Sequence, residues 1–451
     1  MSRVRRFEPA GPLRGSLRPP PDKSISHRSA IVAAMADGAS RVEGYLDAAD
    51  TRSTLEAMRA LGCEVREEPA ATAGALDLQI EGIGLRGPGA HADAEAVAID
   101  VGNAGTLLRL LPGWLAGQPS GAWRLDGDDS IRRRPVDRIA IPLREMGASL
   151  DCRENRLPPL DVRGARLRAI SYRLPVPSAQ VKSCVLLAGL LADGQTEVRE
   201  DSPSRDHTER MLLAAGARVS AEPAGTAMAV RGRLPGLRIR VAPAERLEPC
   251  GFAVPGDFSS AAFFVAAALV HKGSRVRIEN VGLNPTRVGF LGILNRMGAA
   301  IEVSEGPSLG GEPRGAIDAR HSALRGTRVA AGEVPLAIDE LPLVALVACF
   351  AEGETVVTGA AELRHKESDR IAAVVEAVSA LGGEAEAFED GFAVQGTGGL
   401  RGGDIDSHGD HRLAMLGAIA GLASREGVGV AGMDAAGISY PGFENDLRGL
   451  L

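Results

Sequence analysis

The chain has 451 residues, more than usually gather around one core, with 45% apolar residues, two tryptophans, three tyrosines and a formal net charge of −7 at pH 7. The acidic balance and scarce aromatics argue against a broad nucleic-acid surface with stacked bases, yet allow a local cationic pocket for a small anion. Five scattered cysteines without a C-x-x-C pair argue against a disulfide scaffold, and no apolar run is long enough to span a bilayer. A cytoplasmic protein is expected, since the basic stretch before Arg18 is interrupted by glycine and prolines and lacks the apolar core of a signal peptide.

In chain order, the first helix opens at Pro21-Asp22-Lys23-Ser24-Ile25-Ser26-His27-Arg28. Lys23, Ser24 and Arg28 put two cations and a hydroxyl at a helix start, where free backbone N–H groups and the helix dipole also favour a phosphate or carboxylate. Similar polar openings recur at Gly102-Asn103-Ala104-Gly105-Thr106, Ser178-Ala179-Gln180, Gly256-Asp257-Phe258-Ser259-Ser260, Asp339-Glu340 and Asp410-His411-Arg412, each running into an apolar, alanine-rich segment. The openings stand roughly 70 to 80 residues apart, a spacing that marks a repeat architecture.

After each apolar helix the spacing predicts a turn and a short valine-bearing strand, as at 37–42, 193–198, 272–276 and 352–356. A second helix follows in five units and ends on Gly62, Gly147, Gly216, Gly298 or Gly382. The sixth unit stops near Phe443 to Leu451. Six such α/β lobes are too small to bury much alone, so three and three are expected to form two domains of about 200 residues. The boundary should fall near Pro243 to Pro255, and residues 1–18 either precede the first domain or return to the second.

Several side chains could carry chemistry. Small residues at Gly105 permit close backbone approach, while Arg132, Arg133 and Arg134 can grip planar oxyanions, though not all three on one ligand. Ser178 and Gln180 could hold a phosphate or hydroxyl, or simply cap a helix. The second half brings the carboxylates Asp339, Glu340 and Glu367 beside Lys366 and Arg370, as expected of a site divided across a cleft. Asp404, Asp406, His408, Asp410 and His411 lack a familiar ligand spacing, so no metal is expected. Asp410 reads as a helix cap, leaving His411 and Arg412 for an anionic ligand.

Taken together, Asp22 to Arg28, Gly102 to Thr106, Arg132 to Pro135, Ser178-Ala179-Gln180, Arg205-Asp206-His207-Thr208, Lys366 to Arg370 and Asp410 to Arg412 closely resemble the 5-enolpyruvylshikimate-3-phosphate synthase family of enolpyruvyl transferases. The resemblance runs along essentially the whole chain. It implies an inverse α/β barrel fold of six βαβαββ repeats in two domains, 19–248 and 1–18 with 249–451, joined by a two-strand hinge. It also implies a monomer without cofactor that transfers the enolpyruvyl group of phosphoenolpyruvate to the 5-hydroxyl of 3-phosphoshikimate.

By the same resemblance, Lys23, Ser24, Arg28, Ser178, Ala179, Gln180, Arg205, Asp339 and Lys366 would bind 3-phosphoshikimate. Lys23, Gly105, Arg132, Gln180, Arg370 and Arg412 would bind phosphoenolpyruvate. Asp339 and Glu367 would move protons, and Lys23 and His411 would stabilise phosphate charge. Arg205 stands where many relatives carry tyrosine, and Ile438 stands near a missing lysine. Gly105 lacks the alanine methyl group that obstructs glyphosate in tolerant members, so glyphosate should inhibit. The sister enzyme acting on UDP-N-acetylglucosamine carries a loop cysteine that 115–124 lacks, and a Lys-Asn pair where this chain has Lys23-Ser24. A non-catalytic repeat protein would explain the periodicity but not the mixed Lys, Arg, Asp and Glu set.

Overall fold

A computed structural model describes residues 4–90, 96–224 and 235–451. The six polar openings all start helices: Lys23–Met35, Gly105–Ala116, Ala179–Gly189, Phe258–Val270, Leu341–Cys349 and His411–Ala423. Past their polar openings these central helices are apolar and almost wholly buried, as expected of helices inside a lobe rather than on its surface. In the first half the Gly105 helix packs against the Lys23 and Ala179 helices, and in the second half all three central helices pack on one another.

Around each trio stand three sheets; five of the six are four-stranded with one recurring order, and the sixth has three strands. In the second repeat, Val97–Asp100 runs parallel to Ala122–Asp126, which pairs antiparallel with Leu157–Arg163, and that strand pairs with Ser149–Arg153. The intervening helices make this the βαβαββ order. The glycines that close the second helices, Gly62, Gly147, Gly216, Gly298 and Gly382, all have φ between 82° and 103°, a region in which a Cβ would be strained.

Three repeats borrow a strand from elsewhere in the chain. Gly251–Ala253 pairs with Asp37–Leu46 of the first repeat. Arg14–Leu17 pairs with Arg275–Gly282 of the fourth, and Val4–Phe7 closes the sixth against Val428–Ala431. Buried side chains accordingly form two cores, one drawn from residues between Ile25 and Val254, the other from Leu13, Leu17 and residues between Phe258 and Leu450. The chain passes between them twice, and the two passes are bonded to each other: Asp22 N–H donates to the Pro255 carbonyl at 2.8 Å and Asp257 N–H to the Pro20 carbonyl at 2.7 Å.

Asp22 caps the first helix, its carboxylate accepting from Ile25 N–H at 2.9 Å. In the glycine-rich 306–315 stretch the positive-φ pair Gly310-Gly311 turns Glu312 inward until it is 2% exposed.

Candidate active site

The polar helix starts of the two halves face one another where the lobes meet. In the first lobe Arg28, 4% exposed, is fixed by Thr208 Oγ1 at 2.9 Å, Ser183 Oγ at 3.1 Å and the Ser24 carbonyl at 3.0 Å. Burial, with Arg205's charge nearby, brings its pKa down to about 10, so it remains a fixed cation at neutral pH. Lys23 points outward to Asp50 at 2.9 Å. Ser178 caps its helix by accepting from Val181 N–H at 3.4 Å, so the capping reading of that residue holds.

Gly105 begins its helix beneath two guanidiniums. A Cβ at this position would lie 2.8 Å from Arg134 Nη1 and 3.2 Å from Arg109 Nη1. Gln180 joins the group, accepting from Arg109 at 3.1 Å and donating to Thr106 Oγ1 at 3.2 Å. Arg109 is lowered to about 10 by burial and by the charges of Arg134 and Arg138, the mark of cations crowded together. Arg132 does not belong to this group. It is half exposed and donates to Asp126 Oδ2 at 2.9 Å. The 3-10 turn Ile131–Arg133 sends Ile131 inside and Arg132 outward, and the chain then returns Arg134 to Asn103 Oδ1 at 2.7 Å. Of the three arginines it is therefore Arg134, and not Arg132, that lies over Gly105.

The second lobe presents a ring of arginines around Asp339. Oδ1 lies 3.6 Å from Arg370 Nη1, and Oδ2 lies 3.7 Å from Arg412 Nη2 and 3.8 Å from Arg287 Nη1. Burial alone would raise this carboxyl, but Arg412, Arg205, Arg287 and Lys366 outweigh it and hold Asp339 well below the usual range. Glu340 behaves oppositely: burial and its neighbour Asp339 raise it against the pull of Arg287. Arg370 is 1% exposed and donates to Asp410 Oδ2 at 2.8 Å and Glu367 Oε2 at 2.6 Å. Glu367 lies before the helix that Arg370 begins, in the bend ahead of its cap Asp369. Lys366 Nζ sits 3.6 Å from Glu362.

Asp410 does two jobs, capping its helix through Arg412 N–H at 2.9 Å and holding Arg370. Beside it, burial and the Arg412 charge lower His411 to about 4, so its imidazole is neutral at pH 7. Among the described residues, buried N–H groups on Arg287 Nε, Arg370 Nη1 and Arg412 Nε have no hydrogen-bond partner. Unsatisfied buried donors on guanidiniums are expensive, and an oxyanion in the cleft would satisfy them. The lobes touch here directly, because Arg205 Nη2 donates to Asp339 Oδ2 at 2.6 Å.

Sequence reasoning passed over two buried cations. Arg287, 7% exposed, lies in the Asn284-Pro285-Thr286 turn and ties Ser259 to Asp257 beneath the ring. Lys182, fully buried, pairs with Glu200 at 3.2 Å and Glu209 at 2.8 Å behind Arg28. A lone lysine inside the apolar Ala179 helix was the available signal for the second; a turn arginine gave none for the first. Among the described residues no group of three or more His, Cys, Asp or Glu side chains could hold a metal ion. No helix among them is long and apolar enough to cross a membrane.

Paired lobes of βαβαββ repeats, with opposed cationic helix starts and two carboxylates in the cleft, define a transferase-like site for multiply charged anions. Residues 7–447 match the family model described as EPSP synthase (3-phosphoshikimate 1-carboxyvinyltransferase), and the chain belongs to that family. It is 48% identical to the 3-phosphoshikimate 1-carboxyvinyltransferase of a Thermus thermophilus strain over 98% of this chain and 97% of the relative. It is 43% identical to that of a Synechococcus strain over 99% and 96%. The structure of EPSP synthase from Acinetobacter baumannii superposes with a TM-score of 0.87 at 40% identity, covering 99% of this chain and 97% of that one. The fold is accordingly the two-domain inverse α/β fold of that family.

Proposed function

We propose that the chain transfers the enolpyruvyl group of phosphoenolpyruvate to the 5-hydroxyl of 3-phosphoshikimate, releasing phosphate, on the route to aromatic amino acids. One observation carries the reading: the unpartnered buried donors of Arg370 and Arg412 lie beside the candidate base Asp339 in the second lobe, while Arg28 and the Arg109–Arg134 pair belong to the first. In this reading Arg28, Ser24, Ser178, Ala179, Gln180, Arg205 and Lys366 receive 3-phosphoshikimate. Arg134, Gly105, Gln180, Arg370 and Arg412 receive phosphoenolpyruvate, and Lys23 swings from Asp50 to the junction of the two.

Asp339 then accepts the hydroxyl proton as the oxygen attacks C2 of phosphoenolpyruvate. Glu367, already oriented by Arg370, delivers a proton to C3 and makes it a methyl group. For the second step Glu367 removes a methyl proton, the C2–O bond to phosphate breaks, the leaving oxyanion is met by Lys23 and His411, and the proton held by Asp339 passes to the released phosphate. Neutral His411 can donate one hydrogen bond to it without repelling the arginines. Closure of the cleft would keep water from the tetrahedral intermediate.

The reading includes two domains, 19–248 and 249–451 with 1–18. Pairing of Gly251–Ala253 with the first lobe supports drawing the later crossing at Pro255. It also includes a cytoplasmic monomer. The test is phosphate release from phosphoenolpyruvate with 3-phosphoshikimate, run beside UDP-N-acetylglucosamine. Turnover only with the former is expected; turnover only with the latter would move the chain to the sister activity.

A further inference from the structure

Resting on the proposed activity, we infer that Arg205 is a positioning residue that latches Asp339 before substrate binds and is released by the phosphate of the substrate. Three observations meet at this contact. The 2.6 Å bond from Arg205 Nη2 to Asp339 Oδ2 joins the lobes and occupies an oxygen that the proposed base needs in order to receive the attacking hydroxyl. Both side chains are largely withdrawn from solvent, at 28% and 16% exposure, so the pair is not a freely exchanging surface contact. Arg205 also stands close enough to Arg28 for its charge to disfavour that of Arg28, against the pull of Glu209 and Asp22, and the Arg28 guanidinium is hydrogen-bonded only to uncharged oxygens of Thr208, Ser183 and Ser24 among the described residues.

The segment that carries Arg205 is held by contacts of its own, so the guanidinium can exchange one partner for another without movement of the backbone. Lys182 donates to the Ser204 carbonyl at 3.2 Å, and Ser204 Oγ donates to Glu200 at 2.7 Å. On the other side Asp206 is bound by Arg210 at 2.9 Å and by Asn284 of the opposite lobe at 2.7 Å. Only the side chain of Arg205 is left to change partners. A dianionic phosphate arriving at Arg28 offers it a stronger acceptor than a carboxylate already shared among Arg287, Arg370 and Arg412. As Arg205 turns to the phosphate, Oδ2 of Asp339 is vacated for the hydroxyl. Phosphate recognition in one lobe thereby controls the availability of the base in the other, and a substrate lacking the phosphate meets a blocked base.

The experiment compares 3-phosphoshikimate with shikimate, which lacks the phosphate, as acceptors for the full-length enzyme and for Arg205→Gln and Arg205→Lys. A side chain that only binds phosphate would, on removal, raise KM for 3-phosphoshikimate and leave shikimate untouched. The latch predicts in addition that Arg205→Gln uses shikimate faster than the parent does, by roughly tenfold, the scale of one charge-assisted hydrogen bond. Arg205→Lys, which keeps the cation, should return the shikimate rate toward the parent value. A shikimate rate in Arg205→Gln at or below the parent's, including no measurable rate in either, overturns the latch. If the parent fails to turn over 3-phosphoshikimate at all, the proposed activity falls and the latch with it.

Discussion

Among the three successive arginines at 132–134, the side-chain directions decide which one meets a ligand. Arg134→Ala should raise KM for phosphoenolpyruvate by roughly ten- to a hundredfold, the loss expected for a charged hydrogen-bond donor. Arg132→Ala should leave it unchanged, since that side chain is committed to Asp126 at the surface. Steady-state kinetics of the two variants check this, and a reversed order would return Arg132 to the site. Gly105→Ala tests the same place from beneath. Its Cβ would come within 2.8 Å of Arg134 Nη1, the flexible end of a side chain, so the guanidinium rather than the helix should move. A higher KM for phosphoenolpyruvate, roughly tenfold, and a weaker inhibition constant for glyphosate are expected with unchanged thermal stability. Identical constants in parent and variant would mean that Arg134 does not set this subsite.

At the scale of the element, four of the six central helices begin where a carboxylate or hydroxyl, of Asp22, Ser178, Asp257 or Asp410, accepts from a first-turn N–H group, so stability and site geometry share residues. Asp22 and Asp410 make a controlled pair. Both cap central helices, but only Asp410 also neutralises a buried arginine. Asp22→Ala should lower unfolding stability by about 1 kcal/mol, the usual loss of a cap. Asp410→Ala should lower it by about 2–3 kcal/mol more, because Arg370 loses a charged partner while remaining buried. Urea denaturation measures both, and equal losses would show that Glu367 alone suffices to hold Arg370. The openings of these helices were legible in the sequence because polar caps before alanine-rich runs are local signals. The side-chain direction within Arg132 to Arg134 was not, since a 3-10 turn of three residues carries no periodicity from which to read a face.

For the whole molecule, acid sensitivity follows from two buried histidines. Burial, then the Lys23 charge, lowers His27 to about 3, and burial with Arg412 lowers His411 to about 4, both from 6.5 in an unfolded chain. The folded protein thus binds fewer protons than the unfolded one below pH 6.5. The stability these residues confer is complete above that value and declines as the pH falls toward the folded values. The fully buried His27 should account for about 1–2 kcal/mol of loss by pH 5. Urea denaturation between pH 7 and pH 5 should show a flatter profile for His27→Asn than for the parent; parallel profiles would place the acid sensitivity elsewhere.

The sequence by itself determined the repeats, the six helix starts, the glycines that close the second helices and most of the residues around the cleft. Each depends on caps, turns and apolar runs within a few residues, and the ordered motifs pointed to one family. Tertiary structure alone decided which strands Val4–Phe7, Arg14–Leu17 and Gly251–Ala253 pair with, because these segments are short and find partners hundreds of residues away. It alone put Arg134 over Gly105, buried Arg287 beneath the arginine ring, and joined Arg205 to Asp339. Such pairings depend on how two independently packed cores meet, and no local pattern along the chain encodes the distance between them.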